Sequence, residues 1–157
     1  FASSYGPTRI SVATTDDLTD IAPLFDLYRQ FYQQDANIEL ANTYLHDRIS
    51  TASSTVLIAW DGDIERKKAV GFTQLYASFC SVDASPIWIL YDLFVDPIMR
   101  NRGMGKALME QAEGIARDSG ASRIDLETAI DNINAQALYE ARGYQRDTDF
   151  YKYSLEL

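Results

Sequence analysis

The sequence predicts a single α/β (α+β) domain in which strands and helices alternate around a mixed sheet. Between residues 18 and 32, apolar side chains recur at three- and four-residue spacing, which is the pattern of an amphipathic helix. Residues 55–60 and 86–95 are nearly continuous apolar runs, which are typical of buried strands. The 157 residues, 46% of them hydrophobic, suffice for one core and are too few for two independent domains.

The other elements follow from the same patterns and from turn residues. Strands are predicted at residues 8–13, 55–60, 69–82, 86–95 and 123–129, with terminal strands at Tyr144 and residues 151–157, and helices at residues 18–34, 38–49, between Gly105 and Asp118, and at residues 132–141. Pro23 predicts a kink or a break in the first helix, because proline lacks an amide donor. Residues 1–7 contain Ser, Gly and Pro and are interpreted as a lead-in or an expression remnant, so the domain is expected to span residues 8–157.

The composition excludes several classes of function. With a net charge of −9, the chain lacks the basic character that nucleic-acid binding requires. No apolar run approaches the ~18 residues of a membrane span, and the N-terminus lacks the basic-then-apolar order of a signal peptide. We therefore expect no nucleic-acid partner, no membrane contact and a cytoplasmic location.

The cysteine and histidine counts exclude most metal and nucleophilic sites. Cys80 is the only cysteine, so the chain has no internal disulfide and no Cys-rich metal site. We expect it to be a buried structural thiol. His46 is the only histidine and lies among polar residues, which excludes most zinc sites and an ordinary Ser/His triad. We expect His46 to be solvated and the protein to need no metal.

A basic turn that contains glycine follows the apolar strand at residues 86–95 and precedes a helix. The first N–H groups of a helix have no internal partner and carry the positive end of its dipole, so they bind anions. Glycines without Cβ atoms let a diphosphate approach the backbone and let the turn adopt positive φ. Basic side chains here are favourable only when an anion is bound. The glycines are Gly103 and Gly105, and the basic residues are Arg100, Arg102 and Lys106.

Two better-known phosphate loops do not fit the spacing of this turn. A P-loop needs glycine at the position of Arg100 and Ser or Thr at the position of Ala107. A dinucleotide fingerprint needs a third small residue where Leu108 stands. What remains, Arg100-x-x-Gly103-x-Gly105, resembles the acyl-CoA-binding motif of the GNAT superfamily of N-acetyltransferases.

A second motif lies at residues 132–144. Asn132 is followed by alanines, then by Leu138-Tyr139, then by Gly143-Tyr144, and this order resembles the second GNAT signature. The two motifs occur in the family's order with a helix and a strand between them, and together they cover about the C-terminal half of the chain. The resemblance implies a mixed, mostly antiparallel sheet flanked by helices, with a central strand that splays from its neighbour.

The resemblance also implies acetyl-CoA as the cosubstrate. The backbone of Leu93, Phe94 and Val95 would pair with the pantetheine amides and polarise the thioester carbonyl, because preorganised N–H donors stabilise a developing oxyanion. Asn132 matches a position that contacts the cofactor or orders the loop before the last helix. The turn that would hold the pyrophosphate comprises Arg100, Asn101, Arg102, Gly103, Met104, Gly105 and Lys106.

Tyr139 matches the family's general acid, which also contacts the cofactor near its sulfur. A phenol of pKa about 10 can protonate a departing thiolate, whose conjugate acid has a pKa of about 8.5, only slightly uphill. For the base, Asp92 and Glu127 are candidates beside a relay of waters. Alternatively, Asp92 bonds to nearby backbone and Glu127 lies on a solvated strand edge.

Asp92 and its Leu-Phe-Val sequel resemble the acidic position of spermidine/spermine-type and yeast histone/polyamine-type acetyltransferases. Polyamine enzymes often carry a second acid immediately before this position, where Tyr91 stands here. Tyr28 and Tyr32 of the first helix are expected to line the acceptor pocket together with Asp92. The alternative is that the two tyrosines belong to the core.

The reaction that we expect is direct transfer of an acetyl group from acetyl-CoA to a primary amine of a small cationic molecule, within a ternary complex. A protein lysine or N-terminus is the alternative acceptor. A non-catalytic CoA-binding sensor on the same fold is the alternative function. The alternating C-terminal strand also offers an apolar face and an open edge, through which we expect a homodimer.

Overall fold

The computed structural model describes residues 9–63, 65 and 67–157. Thr8 and the predicted lead-in at residues 1–7 lie outside the described residues. The chain forms two compact units, of which the first ends at Leu126 and the second is Glu127–Leu157. A single domain over residues 8–157 stays a prediction. In the described part of the chain, no helix combines the length and the apolar character that crossing a bilayer requires.

The first unit contains a five-stranded sheet whose strands follow one another in chain order. The strands are β1 Arg9–Val12, β2 Thr55–Asp61, β3 Lys68–Cys80, β4 Ser85–Val95 and β5 Ile124–Leu126. The first four strands pair antiparallel, and β4 pairs parallel with β5. The predicted mixed, mostly antiparallel α/β fold is therefore confirmed.

The described residues form four α-helices, three of them in the first unit. They are α1 Leu18–Phe31, α2 Ile38–Ser50, α3 Met104–Asp118 and, in the second unit, α4 Ile133–Ala141. Pro23 neither breaks α1 nor ends it. Pro23 and Thr19 are both exposed, so the Thr19 carbonyl that loses its helical partner can be hydrated. The helix ends three residues earlier than predicted, and Gln33 has a left-handed φ of 68°.

The two faces of the sheet carry different layers. Phe72 of β3 belongs to a core cluster with Ile21 and Phe25 of α1 and with Leu45 of α2. On the opposite face, Gly71 faces α3, and a Cβ atom on it would lie 3.3 Å from Leu108 Cδ1. The small residue thus lets α3 pack closely on the sheet.

β4 pairs with β5 along only part of its length. Only Trp88, Ile89 and Leu90 of β4 pair with β5, whereas β3 pairs with β4 as far as Val95. The register with β3 also shifts after Gln74, which leaves Tyr91 without a partner in β3. A splay of β4 stays a prediction, and β4 is not buried on both faces as predicted, because Tyr91 at this bulge is 65% exposed.

The second unit contains α4, and its terminal strands were predicted wrongly. Residues 144–157 form no strand, and most of their large side chains are exposed. An alternating pattern forms a strand only when another strand pairs with it, and the described second unit contains no strand. The strand edge that suggested a homodimer is therefore absent from these residues.

Three smaller predictions can be compared with the structure. β5 is shorter than the predicted strand at residues 123–129, because residues 127–129 are not in a strand. Cys80 ends β3 and is only half-buried, so the prediction of a buried thiol was wrong. His46 is exposed as expected, and its Nδ1 lies 3.2 Å from Asp47 Oδ1.

Candidate active site

A buried carboxylate lies at the bulge between β3 and β4. Asp92 is 4% exposed, and its register partner Gln74 is completely buried. Gln74 Nε2 donates a hydrogen bond to Asp92 Oδ2 at 2.8 Å, and Ser54 Oγ donates to Gln74 Oε1 at 2.8 Å. The side chain of Asp92 is thus held by another side chain rather than by nearby backbone.

Tyr28 of α1 is the second donor to this carboxylate. Burial raises the pKa of Asp92, while the hydrogen bonds from Tyr28 and Gln74 lower it again. Burial, followed by the charge and hydrogen bond of Asp92, raises the pKa of Tyr28 far above its ordinary value. Tyr28 therefore stays protonated at every physiological pH and keeps donating, while Asp92 retains more basicity than an exposed aspartate.

Five tyrosines surround the carboxylate, and we call them the tyrosine cluster. Their contacts form two groups, which are joined by Phe25 because its ring stacks on both Tyr28 and Tyr44. Tyr28 and Tyr32 have ring centroids 5.1 Å apart, the hydroxyls of Tyr44 and Tyr76 are 2.6 Å apart, and the Tyr76 and Tyr91 centroids are 5.6 Å apart. Tyr32, Tyr44 and Tyr91 are exposed, so the cluster opens to solvent.

The bulge directs Tyr91 toward Asp92's side of the sheet. In a regular strand the side chains of Tyr91 and Asp92 would point to opposite faces. Here the ring of Tyr91 packs edge-on against Tyr76, which the register places on the same face as Gln74. An extra residue in β4 thus puts an exposed aromatic ring beside a buried carboxylate.

The end of β4 presents backbone groups to its unpaired edge. The Asp96 N–H donates to the Val70 carbonyl at 2.8 Å. Because residues of an antiparallel pair alternate between bonded and non-bonded positions, Leu93 and Val95 direct their N–H and C=O groups away from β3. The backbone of Phe94, also predicted to pair with pantetheine, faces Phe72 instead. The edge facing away from β3 therefore belongs to Leu93 and Val95.

The side chain of Arg100 contacts the end of β4 and two aromatic rings. Its Nε donates to the outward carbonyl of Val95 at 3.1 Å. Its guanidinium carbon lies 5.7 Å from the ring centroid of Phe31 and 5.5 Å from that of Phe94. Arg100 thus links β4 to α1 and leaves the N–H groups of Leu93 and Val95 as the outward donors.

The predicted phosphate turn has the backbone that such a site needs. Asn101 and Gly103 adopt left-handed φ values of 62° and 78°. Gly103 is the N-cap of α3, which has neither a side-chain cap nor an acid in its first turn. By contrast, α2 is capped by the side chain of Asn37. The first N–H groups of α3 therefore lack the acceptor that a capping side chain would give, which fits an anion.

Among the other predicted turn residues, Met104 is buried and can offer only its backbone to a ligand. Arg102 Nη1 lies 3.6 Å from Met99 Sδ. Lys106 Nζ lies 3.9 Å from Glu110 Oε1 in an exposed pair one helical turn apart. Gly105 lies in the first turn of α3, where its N–H has no helical acceptor.

The second unit contains the other three predicted residues. Asn132 Oδ1 accepts a hydrogen bond from the Ala135 N–H at 3.2 Å, so this side chain orders the loop before α4. Tyr139 lies on α4 with its ring centroid 6.2 Å from that of Tyr144. The Glu127 carboxylate lies 2.6 Å from Lys152 Nζ, and both side chains are mostly exposed.

The structure therefore brings Tyr28, Tyr32 and Asp92 together, and their role in an acceptor pocket stays a prediction. Sequence reasoning missed Ser54, Gln74, Tyr44 and Tyr76. One signal for Gln74 was present, since a glutamine inside the apolar run of β3 must find a partner when buried. No pattern in the sequence pairs it with Asp92, because a bulge sets their register.

Known proteins resemble this chain over most of its length. The sequence model of the acetyltransferase (GNAT) family matches residues 21–144. An uncharacterised N-acetyltransferase, YhfO, of Bacillus subtilis is 41% identical over 94% of this chain and 97% of its own length. A probable acetyltransferase of Haemophilus influenzae is 30% identical over 80% of this chain and 82% of its own.

A solved structure gives the same result. The crystal structure of a probable acetyltransferase superposes with a TM-score of 0.87 at 34% sequence identity and covers 95% of this chain and 97% of its own. The family model spans β4, the glycine turn, α3 and α4, which contain both motifs. The chain therefore belongs to the GNAT family and is an acetyl-CoA-dependent N-acetyltransferase.

Proposed function

We propose that the enzyme acetylates a primary amine of a small cationic molecule, and that Asp92 is the general base. The observation that carries this proposal is a buried carboxylate beside aromatic rings, in the part of β4 that extends beyond its pairing with β5. Tyrosine faces attract ammonium groups, and a carboxylate adds the opposite charge. The tyrosine cluster with Asp92 thus supports an acceptor that arrives as a cation.

An ammonium must lose a proton before its nitrogen can attack. Asp92 takes this proton in the proposal, and its raised pKa makes it a stronger base than an exposed aspartate. A new N–C bond forms as the C–S bond of the thioester breaks, and the leaving thiolate receives a proton from Tyr139. The enzyme forms no covalent intermediate, and the step needs no metal.

Two groups of this chain support the proposed binding of acetyl-CoA, which supplies the activated acetyl thioester. The outward N–H groups of Leu93 and Val95 offer an edge to an extended chain of amides, as a neighbouring strand would. The uncapped first turn of α3 offers N–H groups to a pyrophosphate. Glu127 is less suited than Asp92 to act as base, because Lys152 already occupies its exposed carboxylate.

The proposal is tested by measuring free thiol release from acetyl-CoA across a panel of small amines and lysine-containing peptides. Wild type is compared with Asp92→Asn and Tyr139→Phe. Small amines should be turned over and peptides should not, and both variants should be slower. Turnover of peptides alone would favour a protein substrate. No turnover, with thermal stabilisation by CoA, would favour a sensor.

The Tyr139 assignment has its own readout. If Tyr139→Phe keeps full activity at every pH, the leaving thiolate does not depend on that phenol. A cytoplasmic location and a homodimer stay predictions of the sequence. An ultracentrifuge mass equal to the 17.7 kDa monomer would contradict the homodimer.

A further inference from the structure

Arg48 of α2 carries a buried donor that has no partner among the described residues. Its Nε atom is inaccessible to solvent and makes no hydrogen bond. Its guanidinium carbon lies 5.4 Å from the ring centroid of Tyr44, one helical turn before it. Leaving a buried guanidinium donor unbonded costs free energy, so such a group needs a reason, and a functional role is one of them.

The position of this arginine connects it to the tyrosine cluster. Tyr44 shares a 2.6 Å hydroxyl contact with Tyr76 and stacks with Phe25 at 5.8 Å. Burial and then Tyr44 raise the pKa of Tyr76 most, and smaller effects come from Asp92, which raises it, and from Arg48, which lowers it. The charges of an acid and a guanidinium therefore both reach one hydroxyl of the open cluster.

The two acidic residues considered as partners of Arg48 contact other groups instead. Asp47, its neighbour in the chain, contacts His46 instead. Asp92 is engaged by Gln74 and Tyr28.

We infer that Arg48 is a carboxylate-binding residue at the rim of the acceptor pocket, so that the acceptor is an amine that also carries a carboxylate. The inference rests on the proposed function and narrows it. Arg48 as a whole is half-buried and its Nε is covered, so the edge formed by its two terminal nitrogens would make the two parallel hydrogen bonds to a carboxylate. The amine of the acceptor then lies near Asp92 and its carboxylate near Arg48, with the tyrosine cluster between them.

The same charges disfavour a polyamine. The second ammonium of a polyamine would meet the like charge of Arg48. Tyr91, an uncharged residue, stands where polyamine enzymes often carry a second acid. A fixed cation and a missing acid at one rim both favour a zwitterion over a diamine.

The test uses pairs of acceptors that differ only in a carboxylate: lysine and cadaverine, ornithine and putrescine, γ-aminobutyrate and n-propylamine. The readout is the ratio of kcat/KM for the carboxylate-bearing member to that for its partner. In wild type we expect a ratio above about 10 for at least one pair, since charge-assisted bidentate hydrogen bonds are the strong ones. In Arg48→Gln this ratio should approach unity, mainly through KM.

Two further variants separate this role from a structural one. Arg48→Lys keeps the charge without the planar fork and should recover part of the preference. Arg9→Gln is the matched control, because Arg9 of β1 also lies over an aromatic ring, with its guanidinium carbon 6.0 Å from the ring centroid of Trp60 in β2. This variant should leave the ratio unchanged. Circular dichroism melts show whether each variant is folded.

The outcomes distinguish the inference from the proposed function. Preference for the members without a carboxylate, or an unchanged ratio in Arg48→Gln, overturns the carboxylate site while leaving the amine acetylation intact. If no amine is turned over, the proposed function fails, and calorimetric binding of the same pairs to the CoA complex decides about Arg48. Equal binding of both members by wild type then overturns the inference as well.

Discussion

The two sides of β4 use different chemistry. On the proposed acceptor side, Asp92 is held by side chains from two elements, β3 and α1, and tyrosine rings lie around it. On the proposed cofactor side, the available groups are backbone N–H donors at Leu93, Val95 and the start of α3. Backbone donors suit a cosubstrate that is the same for every family member, whereas side chains can change with the acceptor. In the proposal, one strand therefore supplies both constant and variable chemistry.

The largest effect should come from removing the charge on the acceptor side. Asp92→Asn keeps the shape of the side chain but cannot accept a proton, so kcat/KM should fall by about 100-fold or more, the usual range for a general base. Wild-type activity should also decline as the pH falls through the raised pKa of Asp92, and the variant should lose this acidic limb. Steady-state thiol release between pH 5 and pH 9 measures both.

The control for this change is CoA affinity. Because Asp92 lies outside the proposed cofactor contacts, calorimetry should give Asp92→Asn the same Kd for CoA as wild type. If Asp92→Asn retained the acidic limb of the pH profile, a group other than Asp92 would be the base.

On the cofactor side, Gly103→Val should weaken CoA binding by about 10-fold, since a β-branched residue at a φ of 78° is strained by roughly 1–2 kcal/mol and moves the turn. Activity at saturating acetyl-CoA should change much less, because the acceptor side is intact. Calorimetric titration with CoA measures the first effect, and kcat at high acetyl-CoA the second.

Gly120→Val is the matched control for the turn. Gly120 follows the other end of α3 with a φ of 80°, and a Cβ atom there would also meet nothing within 4 Å. Both variants should lose similar stability in thermal melts. Equal CoA affinity in the two variants would count against the phosphate-binding turn.

The same contrast explains what the sequence could predict. The cofactor side follows from short motifs, because a left-handed glycine and an uncapped helix start are encoded within a few adjacent residues, as at Gly103. The fold class follows from periodicity in α1, β2 and α3. Local patterns were therefore sufficient for the existence of the strands and helices of the first unit and for the turn.

The acceptor side depends on long-range register. Gln74 meets Asp92 only because β3 and β4 pair with a bulge, and Ser54 and Tyr44 come from still more distant parts of the chain. The prediction of C-terminal strands was wrong for a related reason, since alternation at residues 151–157 gives a strand only where a partner strand is available. Partners across the fold are not visible in a local pattern.

A smaller effect should follow from loosening the support of Asp92. Gln74→Met removes the donor to Oδ2, so the pKa of Asp92 should rise further and the acidic limb should move to higher pH. At neutral pH we expect kcat/KM to fall about fivefold, corresponding to the roughly 1 kcal/mol of a typical hydrogen bond. Activity should recover toward wild type at high pH, which a purely structural defect would not produce.

Ser54→Ala is a milder change in the same hydrogen-bonded chain from Ser54 through Gln74 to Asp92. It removes the bond to Gln74 Oε1 and leaves the bond from Gln74 to Asp92, so the limb should shift less than in Gln74→Met. An equal loss at every pH in both variants would mean that Gln74 packs the sheet without tuning the carboxylate.

The smallest expected effect is on the thermal stability of Asp92→Asn, which should rise although the activity of this variant falls. The folded-state pKa of Asp92 is raised mainly by burial, so the folded protein binds more protons than the unfolded chain at pH values between the ordinary aspartate pKa of about 3.9 and the raised folded-state pKa. This carboxyl therefore contributes stability that is present at low pH and lost as the pH rises through its folded pKa. Asp92→Asn escapes that loss, and should melt at a higher temperature than wild type at pH 8, with the difference shrinking toward pH 5. A difference that grows instead toward pH 5 would show that the bonds from Tyr28 and Gln74 outweigh burial, and the acceptor side would then hold a weaker base than an exposed aspartate.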